Sequence, residues 1–278
     1  MKTLNSYITE KLVIGKNIIH KKIKVYTKDD LKEILEYRLS KDQNVDLNDL
    51  DVSQITDMSY VFKGLDPHDI KIDKWNVSKV VKMNGMFLYC TNFNSDLSKW
   101  DISNVENMGG IFEGCKNFNS DLSKWDVSNV ENMTNMFFHC ENFNSDLSHW
   151  NVSNVTNMNN MFYECEKFNS DLSNWDVSKV VKMNGMFFNC KKFNSDLSNW
   201  DVSNVTDMDY MFYECTNFNC DLSKWDVSNV ENIGNMFKDC KNFNSDLSNW
   251  DVSNVIYHMD DIFKGCKSLK NKPSWYVK

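Results

Sequence analysis

Trp75, Trp100, Trp125, Trp150, Trp175, Trp200, Trp225, Trp250 and Trp275 fall 25 residues apart, so any fold for this chain must carry that structural period. A unit of roughly 20 to 30 residues is too short to bury its own apolar face, and such units stack to share one continuous core. The units run 51–75, 76–100 and onward to 251–275. Their approximate consensus is D-V-S-N-V-x-N-M-x-x-M-F-x-x-C-x-x-F-N-S-D-L-S-x-W.

The first and last units depart from it. In the last, Val255 reaches Met259 one residue late and Cys266 reaches Trp275 one residue early, so an insertion and a deletion cancel. The first carries Leu65 in place of Cys and Asp66-Pro67-His68-Asp69 where later units approach F-N-S-D. Stacking predicts atypical terminal units, because each shields an end of the core. The shared V-S-K-V-V-K-M-N-G-M at 77–86 and 177–186 points to a later duplication of several units.

With 41% hydrophobic and 13% aromatic residues, the chain reads as folded rather than disordered. Two prolines and nine glycines leave no flexible linker, which predicts one continuous repeat domain at 51–275, preceded by a cap at 1–50 and followed by a short tail at 276–278. The formal charge is −8; residues 1–50 hold ten Lys and Arg against eight Asp and Glu, which leaves −10 on the rest. That balance argues against nucleic acid or an anionic membrane as a general partner, since either needs a basic face. Residues 1–10 lack the apolar run of a secretory signal, and no later segment approaches a transmembrane span.

Eight of the nine cysteines hold one phase of the repeat: Cys90, Cys115, Cys140, Cys165, Cys190, Cys215, Cys240 and Cys266. Each stands alone in its unit, whereas zinc sites pair Cys or His at close spacing, and the histidines follow no phase. Bridging neighbouring units would need Cα atoms within roughly 7 Å. The thiols therefore read as small buried hydrophobes, with no metal or cofactor expected. Cys220, out of phase, is the candidate reactive thiol. The recurrent Asn94, Asn119, Asn144 and Asp96, Asp121, Asp146 positions lack the glycine and compact acidic run of a calcium loop. They are expected to satisfy turn amides between units.

Within 151–175, Val155, Met158, Met161, Phe162 and Cys165 recur at helical spacing, which predicts a short helix over about residues 154–165 with Ser153 or Asn154 as its cap. Asn169-Ser170-Asp171 is a turn cluster, and 172–178 reads as a short strand with its exit turn. The expected architecture is an α/β repeat solenoid, a stack of about nine strand–turn–short-helix units. In the cap, 23–26 alternates as a strand, and Thr27 opens an amphipathic helix bearing Leu31, Ile34, Leu35 and Leu39. The run His20-Lys21-Lys22-Ile23-Lys24 reads as a solvated edge.

The stretch 136–158, M-F-x-x-C-x-x-F-N-S-D-L-S-x-W-N-V-S-N-V-x-N-M, differs from the consensus by Asn151 for Asp. It resembles the repeat of the BspA-like leucine-rich-repeat surface proteins of bacteria, and the resemblance covers about 47–275. Segment 45–58 is similar to the lead-in that precedes such arrays. The resemblance implies a leucine-rich-repeat-like solenoid and a protein at the cell surface or secreted, binding matrix proteins or other cells. The missing signal and the thiol ladder imply the opposite, a protein kept inside, and both readings stay open. The repeat brings no enzymatic residues with it.

Binding is expected at positions that vary while the core stays constant. One such column precedes Trp and includes Lys99, Lys124, His149, Asn174, Asn199 and Lys224, expected on a concave strand face long enough for a protein partner. A second follows M-F, where Phe138, Tyr163, Phe188 and Tyr213 form a candidate aromatic stripe. No Ser-His-Asp set, phosphate loop or paired carboxylate stands out, so the chain reads as non-enzymatic. The leading function is a protein-protein interaction module, adhesin-like or scaffold. A structural, self-associating repeat protein is the alternative.

Overall fold

The computed structural model describes residues 22–256, 259 and 261–276. Met1, His20 and Lys21, and the tail beyond Tyr276, lie outside the described residues. The N-terminal part follows its sequence signals. Strand β1 (Ile23–Lys24) pairs in parallel with β2 (Leu50–Asp51), in the register Ile23 with Leu50 and Lys24 with Asp51. Between them, helix α1 (Lys28–Leu39) starts at Thr27, whose hydroxyl accepts the Asp30 amide at 3.1 Å. Its buried face, Leu31, Ile34, Leu35 and Leu39, joins a hydrophobic core that runs without a break from Val25 to Phe263.

From residue 57 onward each unit bonds to the next at the same position 25 residues on, through parallel bridges such as Asn132 with Asn157 and Asn157 with Lys182. The units are thus stacked in register. Their core columns are almost fully enclosed: Val130, Met133, Met136, Phe137, Cys140, Phe143 and Leu147 are all 0% exposed, and Trp150 is 3% exposed. Equivalent rings lie nearly parallel from unit to unit, Phe137 on Phe162 at 5.6 Å and Trp150 on Trp175 at 6.4 Å. Inside a unit, Phe137 also stacks on Phe143 at 3.9 Å. Burying each such ring or aliphatic chain contributes about 1.5 to 3 kcal/mol.

The polar atoms that enter this core are paired. Trp150 Nε1 donates to the Leu122 carbonyl at 3.0 Å, and every later Trp repeats the bond 28 residues back, as Trp175 does to Leu147. The Cys140 thiol donates to the Phe112 carbonyl at 3.0 Å. The cysteines are therefore more than small hydrophobes, for each closes a hydrogen bond to the preceding unit while remaining a free thiol. Asn119 Oδ1 accepts the Asn144 amide at 2.7 Å and Asn144 Oδ1 the Asn169 amide at 2.8 Å, so the Asn column links turn to turn between units. Asp146 and Asp171 instead accept the amide of the Ser two residues on.

Residues 154–165 are turns, not the short helix that their spacing suggests. A helix needs each N–H to reach the carbonyl four residues back. Here alternate amides leave the unit: Met158, Asn160, Phe162 and Glu164 donate to Lys182, Asn184, Met186 and Phe188 at 2.7–3.0 Å. The amides of Met161, Tyr163 and Cys165 close tight turns on Met158, Asn160 and Phe162. Positive φ at Asn160 (53°) and Glu164 (58°) makes those turns possible. Linked tight turns step an apolar residue inward every three or four positions, as a helix does, and so produce the same sequence spacing. Residues 172–178 likewise form turns rather than a strand, with the Trp175 amide closing on Leu172 at 3.1 Å. Ser153 and Asn154 cap nothing; Ser153 N donates to Asn151 Oδ1, and Asn154 Nδ2 to the Ser128 carbonyl.

Candidate interaction surface

Because the units stack in register, side chains 25 residues apart form columns on the surface. Lys99, Lys124, His149, Asn174, Asn199 and Lys224 are all exposed and occupy one such line. The line runs along turns rather than on the strand face expected from sequence. It is wholly polar, and Lys99 reaches across to Asp73 at 3.6 Å.

The second column has a different character. Phe138, Tyr163, Phe188 and Tyr213 are half-buried and stack ring on ring, at 4.6 Å, 4.2 Å and 4.5 Å between successive centroids. Their planes differ by 16° or less. The Lys238 ammonium covers the last ring at 5.5 Å from its centre. At the other end of the column stands Glu113, which accepts from the Tyr89 hydroxyl at 3.1 Å and from Asn135 Nδ2 at 3.2 Å.

The structure adds residues that sequence reading passed over. The column beside the stripe reads His139, Glu164, Asn189, Glu214 and Asp239. His139 Nδ1 lies 2.6 Å from Glu164 Oε2. Tyr210, 39% exposed, packs near Phe188 and Tyr213 at 6.1 Å and 5.6 Å. In the same unit Asp207 and Asp209 stand together, joined by the Asp209 amide donating to Asp207 Oδ1 at 3.1 Å. Burial and the Asp207 charge push the Asp209 carboxyl up to about 6, against the opposing pull of the Asn232 side chain and the Tyr210 amide, and its enclosed Oδ1 closes no hydrogen bond among the described residues. Burial, followed by the charge of Glu164, also raises the Tyr163 hydroxyl. Listing the sequence in rows of 25 would have put these acids beside the rings; scanning along the chain hides them.

Cys220 is not a reactive thiol in this setting. It is 7% exposed, its sulfur accepts the Leu197 amide at 3.1 Å, and burial pushes it up to about 11. It fills the place that Ser195 and Ser245 hold in other units, where the hydroxyl accepts the Leu172 and Leu222 amides. Among the described residues no group of His, Cys, Asp and Glu has the arrangement of metal ligands, and no helix is long and apolar enough to cross a membrane. Two open grooves are shallow; the larger, about 510 Å³, is lined by Asn204, Thr206, Asn229, Glu231, Asn254 and Ile256.

A frozen core, registered columns and polar edges define a repeat protein, with its variable chemistry carried on the outside. Residues 30–130, 96–184 and 170–276 match the family described as Mycoplasma protein of unknown function, DUF285, and the chain belongs to that family. The three matches overlap and together run from α1 to the last unit. No curated protein matches the chain.

Proposed function

We propose that this chain is a non-enzymatic protein-protein interaction module, an adhesin-like or scaffold solenoid that engages a partner through its stacked surface. One observation carries the reading. The enclosed columns keep the same residue types from unit to unit, as do the exposed Asn and Asp columns that close turns, whereas the exposed column Lys99, Lys124, His149 and Asn174 changes. Packing constrains the first set and leaves the second free for recognition. The extended line of stacked units suits a protein partner better than a small molecule, which favours a deep, enclosed pocket. The BspA-like resemblance of the repeat supports the same function.

The test is capture of partners by the full chain and by a Lys99→Glu, Lys124→Glu, His149→Glu variant, with bound proteins identified and their affinities measured. Loss of partner binding with an unchanged melting curve supports the reading. Absence of any saturable protein partner for the wild-type chain overturns it. Self-association is a second reading, favoured by Ile256, 71% exposed beside the half-buried Val252 and Val255 of the last unit. Sedimentation over a range of protein concentrations separates the two.

A further inference from the structure

Among the described residues the ridge Phe138, Tyr163, Phe188 and Tyr213 is an extended apolar feature of the surface columns, and its stacking limits what it can bind. Tyr163 and Phe188 are covered on both faces by neighbouring rings 4.2–4.6 Å away. A sugar ring or a nucleobase needs an open aromatic face, so neither is suited to this ridge. Ring edges remain, and they suit the aliphatic and aromatic side chains of a polypeptide.

Charge narrows the partner further. Glu164 and Glu214 directly follow ring residues of the ridge, and Asp207 and Asp209 lie in the unit that supplies Tyr210 and Tyr213. The cations whose charge reaches these carboxylates are Lys182 at Asp207, Lys191 at Glu164 and Glu214, and Lys116 at Glu164. Lys191 is paired with Glu166 at 2.6 Å and Lys116 with Glu141 at 2.8 Å, and His139 is held by Glu164 at 2.6 Å. Lys238 sits at the end of the ridge, paired with Asp261 at 3.3 Å. An apolar ridge flanked by unbalanced carboxylates complements a basic surface and repels phosphates.

We propose that this ridge and its flanking carboxylates dock a basic polypeptide segment, apolar side chains lying on the ring edges and arginine or lysine head groups meeting Glu164, Glu214, Asp207 and Asp209. The assignment rests on the interaction-module reading and places its site on a different column from the Lys99 line. Arginine suits Glu164 and Glu214, because its planar fork meets the two oxygens of a carboxylate with two parallel N–H donors.

The experiment is fluorescence anisotropy of the full chain with a labelled synthetic peptide in which Arg alternates with Leu, and with a control peptide carrying Glu for Arg. The expected result is saturable binding of the Arg peptide alone, weakened by added salt. A Glu164→Gln, Glu214→Gln double variant, close to isosteric, should weaken it about tenfold or more, and Tyr163→Ala comparably. Circular dichroism monitors the fold of each variant. No binding of the Arg peptide, equal binding of the Glu peptide, or affinity within about twofold of wild type in the Gln variant overturns the assignment. If captured partners depend on Lys99, Lys124 and His149 while the Gln variant binds them normally, the module reading stands and the ridge is not its site.

Discussion

The ring of Tyr60 lies over the α-carbon of Gly85, in the space where a β-carbon would stand. Gly85 also holds a left-handed backbone, φ +59°. Gly85→Ala therefore meets a clash and a dihedral strain together, and should cost about 2 to 3 kcal/mol. Adding Tyr60→Ala removes the clash and leaves the strain, about 1 kcal/mol. A double-mutant cycle on denaturant unfolding measures the difference. Equal costs in both backgrounds would show that the ring does not restrict the site.

Trp150→Phe keeps an aromatic ring in the column but deletes the N–H that the Leu122 carbonyl receives at 3.0 Å. That carbonyl keeps the Trp125 amide at 3.1 Å but loses its second donor, beside a smaller ring. The expected loss is about 1 to 3 kcal/mol, combining one lost hydrogen bond with the unfilled volume. Denaturant unfolding followed by circular dichroism reads it, and a loss under about 0.5 kcal/mol would mean the bond contributes little.

Cys220→Ser restores the acceptor found at Ser195 and Ser245, so stability should hold or rise by up to about 1 kcal/mol. Cys220→Val strips the Leu197 amide of its partner at 3.1 Å and should lose about 1 to 2 kcal/mol. Thiol labelling at neutral pH should reach Cys220 only as the stack opens. Rapid labelling of the native protein at that residue would contradict the packing.

Asp209 makes stability depend on pH in an unusual direction for a carboxylate. Its folded pKa of about 6 lies above the ordinary 3.8, because burial and Asp207 disfavour its charge. The folded state then holds its proton more tightly than the unfolded chain, and the contribution of this group to stability falls as pH rises from 3.8 to about 6. Asp209→Asn should therefore stabilise at pH 7, by about 1 kcal/mol once solvent screening of a half-exposed group is allowed for. The gain should fade below pH 4. Melting temperatures of both proteins across this range test it, and a gain independent of pH would remove ionisation as its cause.

The repeat period was legible from Trp75 to Trp275, and with it the membership of the core, because burial demands the same residue types at each return. The linking role of Asn119 and Asn144 was legible too, since a short polar side chain repeated in a turn has few other uses. The backbone path was not. Val155, Met158, Met161 and Phe162 show the spacing of a helix, and only the destination of the Met158, Asn160 and Phe162 amides, a neighbouring unit rather than the previous turn, distinguishes linked turns from it. Tyr163 could be picked out as variable and aromatic. Its contact with Phe138 and Phe188 depends on stacking, which brings distant residues side by side without any local pattern.

The bonds that join units are the same at nearly every junction: indole to carbonyl, thiol to carbonyl, asparagine to amide. A gene that loses or duplicates one whole period by unequal recombination would therefore bring together partners that already fit, with no orphaned groups at the new seam. Length becomes a heritable variable that can drift separately from stability, and the near-repeat of 77–86 at 177–186 is the trace such an exchange leaves. Each exchange would also shift the exposed columns by one row, reordering Phe138, Tyr163, Lys182 and their neighbours into a new surface on an unaltered core.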